Sequence, residues 1–239
     1  MDFRTKLMQS YFNFIYNPVY DFATAQLGLY KEMQNRCLDK FEFREGDKVL
    51  CVGVGTGNEI INILKRNRKV SIVGVDYSEA ALRKVGKKAL SLGVTVEVLI
   101  MDVRELKFPT GSFDKAICLH VTDFLDDGDK ATTDIIRVLK HGGEFVITYP
   151  SEKDGSQLGI NLVKDSFRKN MSSGNGLKGV SRFLAQSLAG TAYLPLLLRT
   201  KKRKYSNEEL QNMFAKLVNG SLSIDSYPMY QDFIVYGRK

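Results

Sequence analysis

Three glycines at alternate positions constrain this chain more than any other feature. The stretch Val49-Leu50-Cys51-Val52-Gly53-Val54-Gly55-Thr56-Gly57-Asn58-Glu59 carries a short, largely β-branched run into Gly53, Gly55 and Gly57. An apolar, helix-compatible run, Ile60 to Leu64, follows. The order reads as strand, tight turn, helix. Lacking Cβ atoms, the glycines let backbone N–H groups approach a ligand that no side chain would admit. The expected occupant is a nucleotide-like cofactor lying across a strand end. The spacing G-x-G-x-G departs from the dinucleotide pattern G-x-G-x-x-G.

The turn sits in an alternating array. Strand candidates at 48–53, 70–75, 94–100, 114–120 and 143–149 are separated by helical segments at 57–66, 78–91 and 129–140. Such alternation predicts a parallel sheet covered on both faces, with every strand's carboxyl end along one edge. Residues 1–40 read as helical, with a dense aromatic group from Tyr11 to Phe22 broken by Asn17-Pro18. Ser206-Asn207-Glu208-Glu209 reads as a helix start, and strands near 222–227 and 230–237 close the chain. At 239 residues the length fits one domain with additions.

Several strand ends carry polar groups. Asp76 in Val75-Asp76-Tyr77-Ser78 can accept hydrogen bonds from two ribose hydroxyls, and Ser78 would cap the next helix. Asp102 in Met101-Asp102-Val103 can accept from an exocyclic amine while the following backbone N–H reads a ring nitrogen. The fourth strand ends in Leu119-His120-Val121.

With these motifs in this order, the chain resembles the class I S-adenosylmethionine-dependent methyltransferases. Within them it is similar to the small-molecule group that includes the quinone methyltransferases. The resemblance covers roughly residues 11–150 and the closing strands. It implies an α/β, Rossmann-like three-layer sandwich: a seven-stranded, mostly parallel sheet whose last strand is antiparallel. It implies one methyltransferase domain over 1–239, with an N-terminal helical cap at 1–45 and a helical lid inserted at 151–204. The cofactor implied is S-adenosyl-L-methionine. The match assigns Gly53, Val54, Gly55, Thr56 and Gly57 to the methionine part, Asp76 and Tyr77 to the ribose, and Asp102 and Val103 to adenine, with Leu119 beside them. Tyr16-Asn17-Pro18-Val19-Tyr20-Asp21 resembles the tyrosine-aspartate segment that folds over the cofactor, which would put Tyr20 on its carboxylate and Tyr11 or Tyr16 in the substrate pocket. An amphipathic helix simply packed on the sheet is the other reading of that segment.

One departure matters. The family usually has an acid where this chain has Cys51, and that acid helps organise the cofactor's ammonium end. A neutral thiol does not do this, so Glu59 or a backbone carbonyl takes over, or the cofactor binds more weakly. His120 is the candidate catalytic group: a general base taking a proton from a phenol or hydroxyl as the methyl moves, or else a histidine bonded to nearby backbone. His141, where the family often has proline, reads as a surface residue.

The charge is concentrated. Residues 151–204 hold 11 Lys/Arg against 3 Asp/Glu, whereas the other 185 residues hold 24 of each sign. This insert also contains Phe183–Leu198, sixteen residues without a charge, followed by Arg199-Thr200-Lys201-Lys202-Arg203-Lys204. The run holds Gln186, Gly190 and Pro195 and is short for a membrane span. It reads as a cap on an apolar substrate pocket, as a peripheral membrane-surface contact through 183–204, or as a buried helix before a solvated charge run. An apolar acceptor bearing an acid, such as a prenylated aromatic acid or a porphyrin-like ring, suits both halves. Cys37, Cys51 and Cys118 are scattered, which predicts a reducing compartment and no metal site, and the amino terminus shows no cleavable signal, so the expected location is cytoplasmic.

The functional expectation is therefore methyl transfer to oxygen or carbon of a small, largely apolar molecule, with or without an acid. The rivals are a methyltransferase acting on a peptide or nucleic acid docked on the basic insert, and a non-catalytic cofactor-binding relative. The insert lacks aromatics interleaved with its Lys/Arg cluster, which argues against nucleic acid.

Overall fold

The computed structural model describes residues 3–239 apart from 26, 126, 152–155, 173–175, 194–202, 228, 230 and 231. Seven strands form one sheet: β1 (Lys48–Val52), β2 (Ser71–Asp76), β3 (Glu97–Ile100), β4 (Phe113–Cys118), β5 (Leu139–Pro150), β6 (Leu222–Tyr227) and β7 (Asp232–Arg238). Their order is β3-β2-β1-β4-β5-β7-β6, and β7 alone runs antiparallel to its neighbours. The direction of winding reverses between β1 and β4, which opens a crevice at the carboxyl ends of these two strands.

Alternation along the strands feeds two cores. Leu50, Val52, Val73, Val75, Phe113 and Phe145 face one side, where α6 (Gly128–Val138) and α9 (Asn207–Phe214) cover them. Val49, Cys51, Ile72, Ile117 and Val146 face the other, under α3 (Gly28–Leu38), α4 (Asn58–Arg66) and α5 (Glu79–Ser91). Burial on both faces is why these strands read as near-continuous apolar runs. The ends of α5 and α9 are fixed by their caps. Ser78 Oγ accepts from Ala81 N at 3.2 Å, and Ser206 and Glu209 form a reciprocal capping box.

Three boundaries differ from the sequence reading. β3 begins at Glu97 rather than 94, because Val94 N donates to Ala89 O and finishes α5 while Gly93 takes φ +71. α6 stops at Val138 rather than 140. Leu139 already pairs with Phe113, and the register then shifts before Lys115, with Gly142 at φ +75. Asn17-Pro18 does not end the N-terminal helix. α1 (Phe3–Tyr11) widens into a π-helical turn, Phe12–Tyr16, and runs on as α2 (Asn17–Thr24), with Pro18 in the first turn of that segment.

The insert contributes a helical pair, α7 (Ser156–Met171) and α8 (Gly176–Gly190), followed by a 3₁₀ turn at Thr191–Tyr193. α8 packs on α2, where Gln186 Nε2 donates to Phe22 O at 3.0 Å. The Ser172–Gly176 turn, the end of the uncharged run and Arg199–Lys202 lie largely or wholly outside the described residues, as do Tyr230 and Gln231 of the expected last strand. Among the described residues, no helix is long and apolar enough to cross a membrane.

Candidate active site

The turn after β1 is built as its glycines require. Gly53, Gly55 and Gly57 have φ of +65, +48 and +79, a region closed to most side chains. Two of them are also packed tight. A Cβ on Gly53 would lie 2.2 Å from Val121 Cγ2, and one on Gly57 would lie 2.7 Å from Val85 Cγ2. Above Gly55 a Cβ would meet nothing within 4 Å. That position is an open cradle of bare backbone. Gly53 N and Val54 N donate to Val75 O at 2.8 and 3.1 Å, which ties the turn to the end of β2.

Asp76, the last residue of β2, is buried at 6 % exposure. Its Oδ2 accepts from Gly55 N and its Oδ1 from Ser78 N, both at 2.8 Å. One carboxylate thus joins the glycine turn to the cap of α5. Each oxygen keeps a further lone pair. Burial raises this carboxyl's affinity for a proton, and the backbone donors counter that only in part. The N-terminal helices lie over this end of the sheet. Gln9 Nε2 donates to Tyr77 O at 2.7 Å, Asn17 Nδ2 donates to Ser78 Oγ at 2.8 Å, and Ser78 Oγ donates to Asn13 Oδ1 at 2.6 Å. Phe12 sets its ring edge-on to Tyr77 and Phe124. Thr56 donates to Asp21 at 2.6 Å, and Lys88 pairs with the same carboxylate at 2.8 Å. Those two bonds outweigh burial and hold Asp21 below the usual carboxylate range.

The remaining sequence candidates take the following places. Asp102 lies at the end of β3, gripped by Arg104 through Nε at 3.0 Å and Nη2 at 2.6 Å, which lowers its pKa. Val103 is buried in the core on one side of the sheet, and Leu119 is half-buried against the core on the other. Tyr20, in α2 of the cap, is half-buried, and its hydroxyl donates to Tyr30 at 2.6 Å. The Tyr11 hydroxyl donates to Ala192 O, linking cap and helical pair. Cys51 is fully buried, and burial together with the charge of Glu59 pushes its thiol up. Glu59, in the first turn of α4, is itself buried, and burial raises it to about 8.

His120 adopts φ +56, the one described non-glycine residue with positive φ. Its backbone N–H donates to Thr148 Oγ1 at 2.8 Å. Its Nδ1 lies 3.1 Å from Asp232 Oδ2 and 3.9 Å from Asp123, and its ring lies 5.8 Å from that of Tyr30. Its imidazole thus lies within 4 Å of two carboxylates. Asp232, 3 % exposed at the start of β7, escaped the sequence reading. Its one signal was an acid opening an otherwise apolar strand. Two shallow grooves lie away from this edge. One runs between α6 and α9 beside Arg203 and Tyr205, and the other between cap and helical pair. Among the described residues, no cluster of three or more His, Cys, Asp or Glu side chains is placed to hold a metal ion.

Residues 49–143 match the family model described as a methyltransferase domain. The chain is 29% identical over 142 residues to phosphatidylethanolamine N-methyltransferase of Cereibacter sphaeroides, covering 59% of this chain and 67% of that protein. It is 29% identical over 137 residues to the ubiquinone/menaquinone biosynthesis C-methyltransferase of Geobacter sulfurreducens, covering 54% of this chain and 53% of that one. Its fold superposes on magnesium protoporphyrin IX methyltransferase of Synechocystis PCC 6803 with a TM-score of 0.64 at 12% identity, covering 98% of both chains.

Residues 49–143 thus form a methyltransferase domain, and the relatives support the class I S-adenosylmethionine-dependent kind. S-adenosylmethionine is its cofactor. The residues at the sheet edge of this methyltransferase fit that molecule in kind. An open glycine cradle lies next to a buried carboxylate, a second carboxylate stands one strand further out, and aromatic rings close the top.

Proposed function

We propose that this enzyme transfers a methyl group from S-adenosylmethionine to oxygen or carbon of a small, largely apolar molecule bearing an acid. The observation that carries this reading is the pairing of the open backbone at Gly55 with Asp76 and, across β1 and β4, with His120 beside Asp232. Residues 1–239 act in this reading as one methyltransferase domain, with 1–45 as cap and 151–204 as lid. The location read with it is the cytoplasm. The small-molecule methyltransferases among the relatives support the substrate class, as do the rings of Phe12, Tyr16 and Phe124 at the closed edge.

The cofactor supplies a methyl group already activated on a sulfonium. The glycine turn admits its amino-acid end, and Asp76 accepts from its ribose hydroxyls. Asp102 and Val103 read the adenine edge. Glu59, or a backbone carbonyl, would meet the ammonium group in place of the acid that Cys51 replaces. Tyr20 and Thr56 steady the cap over the tail. His120 receives the proton from an acceptor hydroxyl, and Asp232 orients its ring and supports the positive charge that forms. Alignment and exclusion of water do the rest.

Calorimetry with S-adenosylhomocysteine, followed by methyl transfer to a panel of hydroquinones, phenols and carboxylated aromatics, tests this. Binding of the nucleoside and turnover on at least one apolar acceptor are expected. Binding without turnover on any of them, alongside methylation of peptide or nucleic acid, would overturn the substrate class.

A further inference from the structure

The α7–α8 pair is built inside out. A helix packed on a protein normally turns its apolar stripe inward and its polar face to water. Here the buried positions are Ser166, Asn170, Gly179 and Gln186. Asn170 Nδ2 donates to Gln186 Oε1 at 2.9 Å, and Gln186 continues to the carbonyl of Phe22. The outward face is apolar. Leu177, Val180, Leu184 and Leu188 recur at helical spacing and are 91, 42, 61 and 72 % exposed. Val163 and Phe167 extend the face across α7. Leu188 shares a groove with Ile15 of the cap, and the neighbouring Phe14 is 79 % exposed. The apolar surface is thus continuous from helical pair to cap. A patch of this kind marks a contact with something apolar.

Charge selects the occupant. Exposed Lys164, Arg168, Lys169, Lys178 and Arg182 stand on the pair, and its one acid, Asp165, accepts from Leu29 N at 3.0 Å. A second copy of a chain with net charge +8 would bring like charge to the same surface. An apolar stripe flanked by Lys and Arg instead matches lipid tails beneath anionic headgroups. The basic run further on is less suited to this. Arg203 is held by Asp129 at 2.8 Å and stacks over Tyr205, while Arg199–Lys202 lie outside the described residues.

We infer that the outward face of α8, with the helical pair's flanking cations and the adjoining edge of the cap, seats on an anionic membrane surface. This docking stands independently of the acceptor's identity, and it would bring the elements that close the cofactor edge to the lipid boundary.

Flotation of the full chain with phosphatidylcholine vesicles, with and without phosphatidylglycerol, tests it. The protein should float with the anionic vesicles and much less with the neutral ones. Neutralising Lys178 and Arg182 (K178Q/R182Q) should weaken partitioning by about 25-fold, each cation contributing about fivefold at an anionic leaflet. The triple variant L177E/L184E/L188E should abolish flotation while keeping the circular dichroism spectrum and the affinity for S-adenosylhomocysteine, because these side chains point away from both core and site. Failure of the unmodified protein to float with anionic vesicles would overturn the inference. So would a triple variant that floats as well as the parent, or a parent dimer that the triple variant converts to monomer. Nucleoside binding measured on the same samples separates any such failure from failure of the methyltransferase reading.

Discussion

The imidazole of His120 and the carboxylate of Asp232 meet at 3.1 Å, joining the segment after β4 to the first residue of β7. His120 sits in the left-handed region to do so, a conformation that costs a non-glycine residue about 1 kcal/mol or more. The backbone there is fixed by the bond to Thr148. Strain maintained beside a cofactor edge is a mark of function.

His120→Asn keeps a residue that tolerates φ near +56 and removes the base. It should lower kcat about 100-fold, the lower end of what a general base contributes, and leave the Kd for S-adenosylhomocysteine unchanged. Asp232→Asn should lower kcat by a smaller factor, with KM for the acceptor nearly constant. Unchanged single-turnover rates in both variants would remove the pair from the mechanism.

Two neighbouring glycines should behave differently. Gly53→Ala drives a Cβ into Val121 and should destabilise the fold by about 1–3 kcal/mol, partly recovered by adding Val121→Ala. Gly55→Ala meets no neighbour. It should cost about 1 kcal/mol of stability yet abolish cofactor binding, because the new methyl fills the cradle. Thermal unfolding and calorimetry on both proteins check the contrast.

Glu59 makes stability fall with rising pH. Its carboxyl, ordinarily near 4.5, is raised to about 8 chiefly by burial. A group raised on folding favours the fold below its ordinary value and loses that contribution as pH climbs through its folded value. The window is therefore about 4.5 to 8. Glu59→Gln should raise the Tm at about pH 9 and change it little at about pH 4. It should also weaken S-adenosylhomocysteine binding. With Glu59 present, binding near neutral pH should release a fraction of a proton as the ammonium group stabilises the carboxylate. Calorimetry in buffers of different ionisation enthalpy should show this release in the parent and not in the variant.

At the other end of the sheet, Lys115 is buried between Glu144 at 2.6 Å and Asp47 at 3.4 Å, and Arg238 and Tyr236 also bind Glu144. Burial alone would raise the Glu144 carboxyl, but these partners prevail and lower it. Its stabilisation is present above the ordinary glutamate range and lost as pH falls through the lowered value. Lys115→Met should cost about 2 kcal/mol at neutral pH, because Glu144 loses one charged partner while keeping Arg238 and Tyr236. Its deficit should shrink under acid, measured by denaturant unfolding across pH.

Much of this architecture was legible because its signals are local. The β-branched run into Gly53, the Ser78 and Ser206 caps and the acid closing β2 each depend on a few adjacent residues. Asp232 was not legible in that way. β7 is inserted between β5 and β6, so its first residue reaches His120 through topology rather than spacing. The inversion of α8 was hidden for a related reason. Leu184 and Leu188 lie in the uncharged run, for which a buried helix is one reading, and only the contacts of Gln186 show which face is turned inward. The extent of β5 escaped because Leu139 and Lys140 continue a helical pattern, and only pairing with Phe113 turns them into strand.

Asn13, Asn17 and the α5 helix start all converge on the hydroxyl of Ser78, two residues past the acid assigned to the sugar. If the nucleoside passes beneath the first two helices, that knot has to be untied first. Its capture should then proceed in two kinetic stages, and observed association rates should level off at high nucleoside concentration, at the speed with which the first two helices peel away.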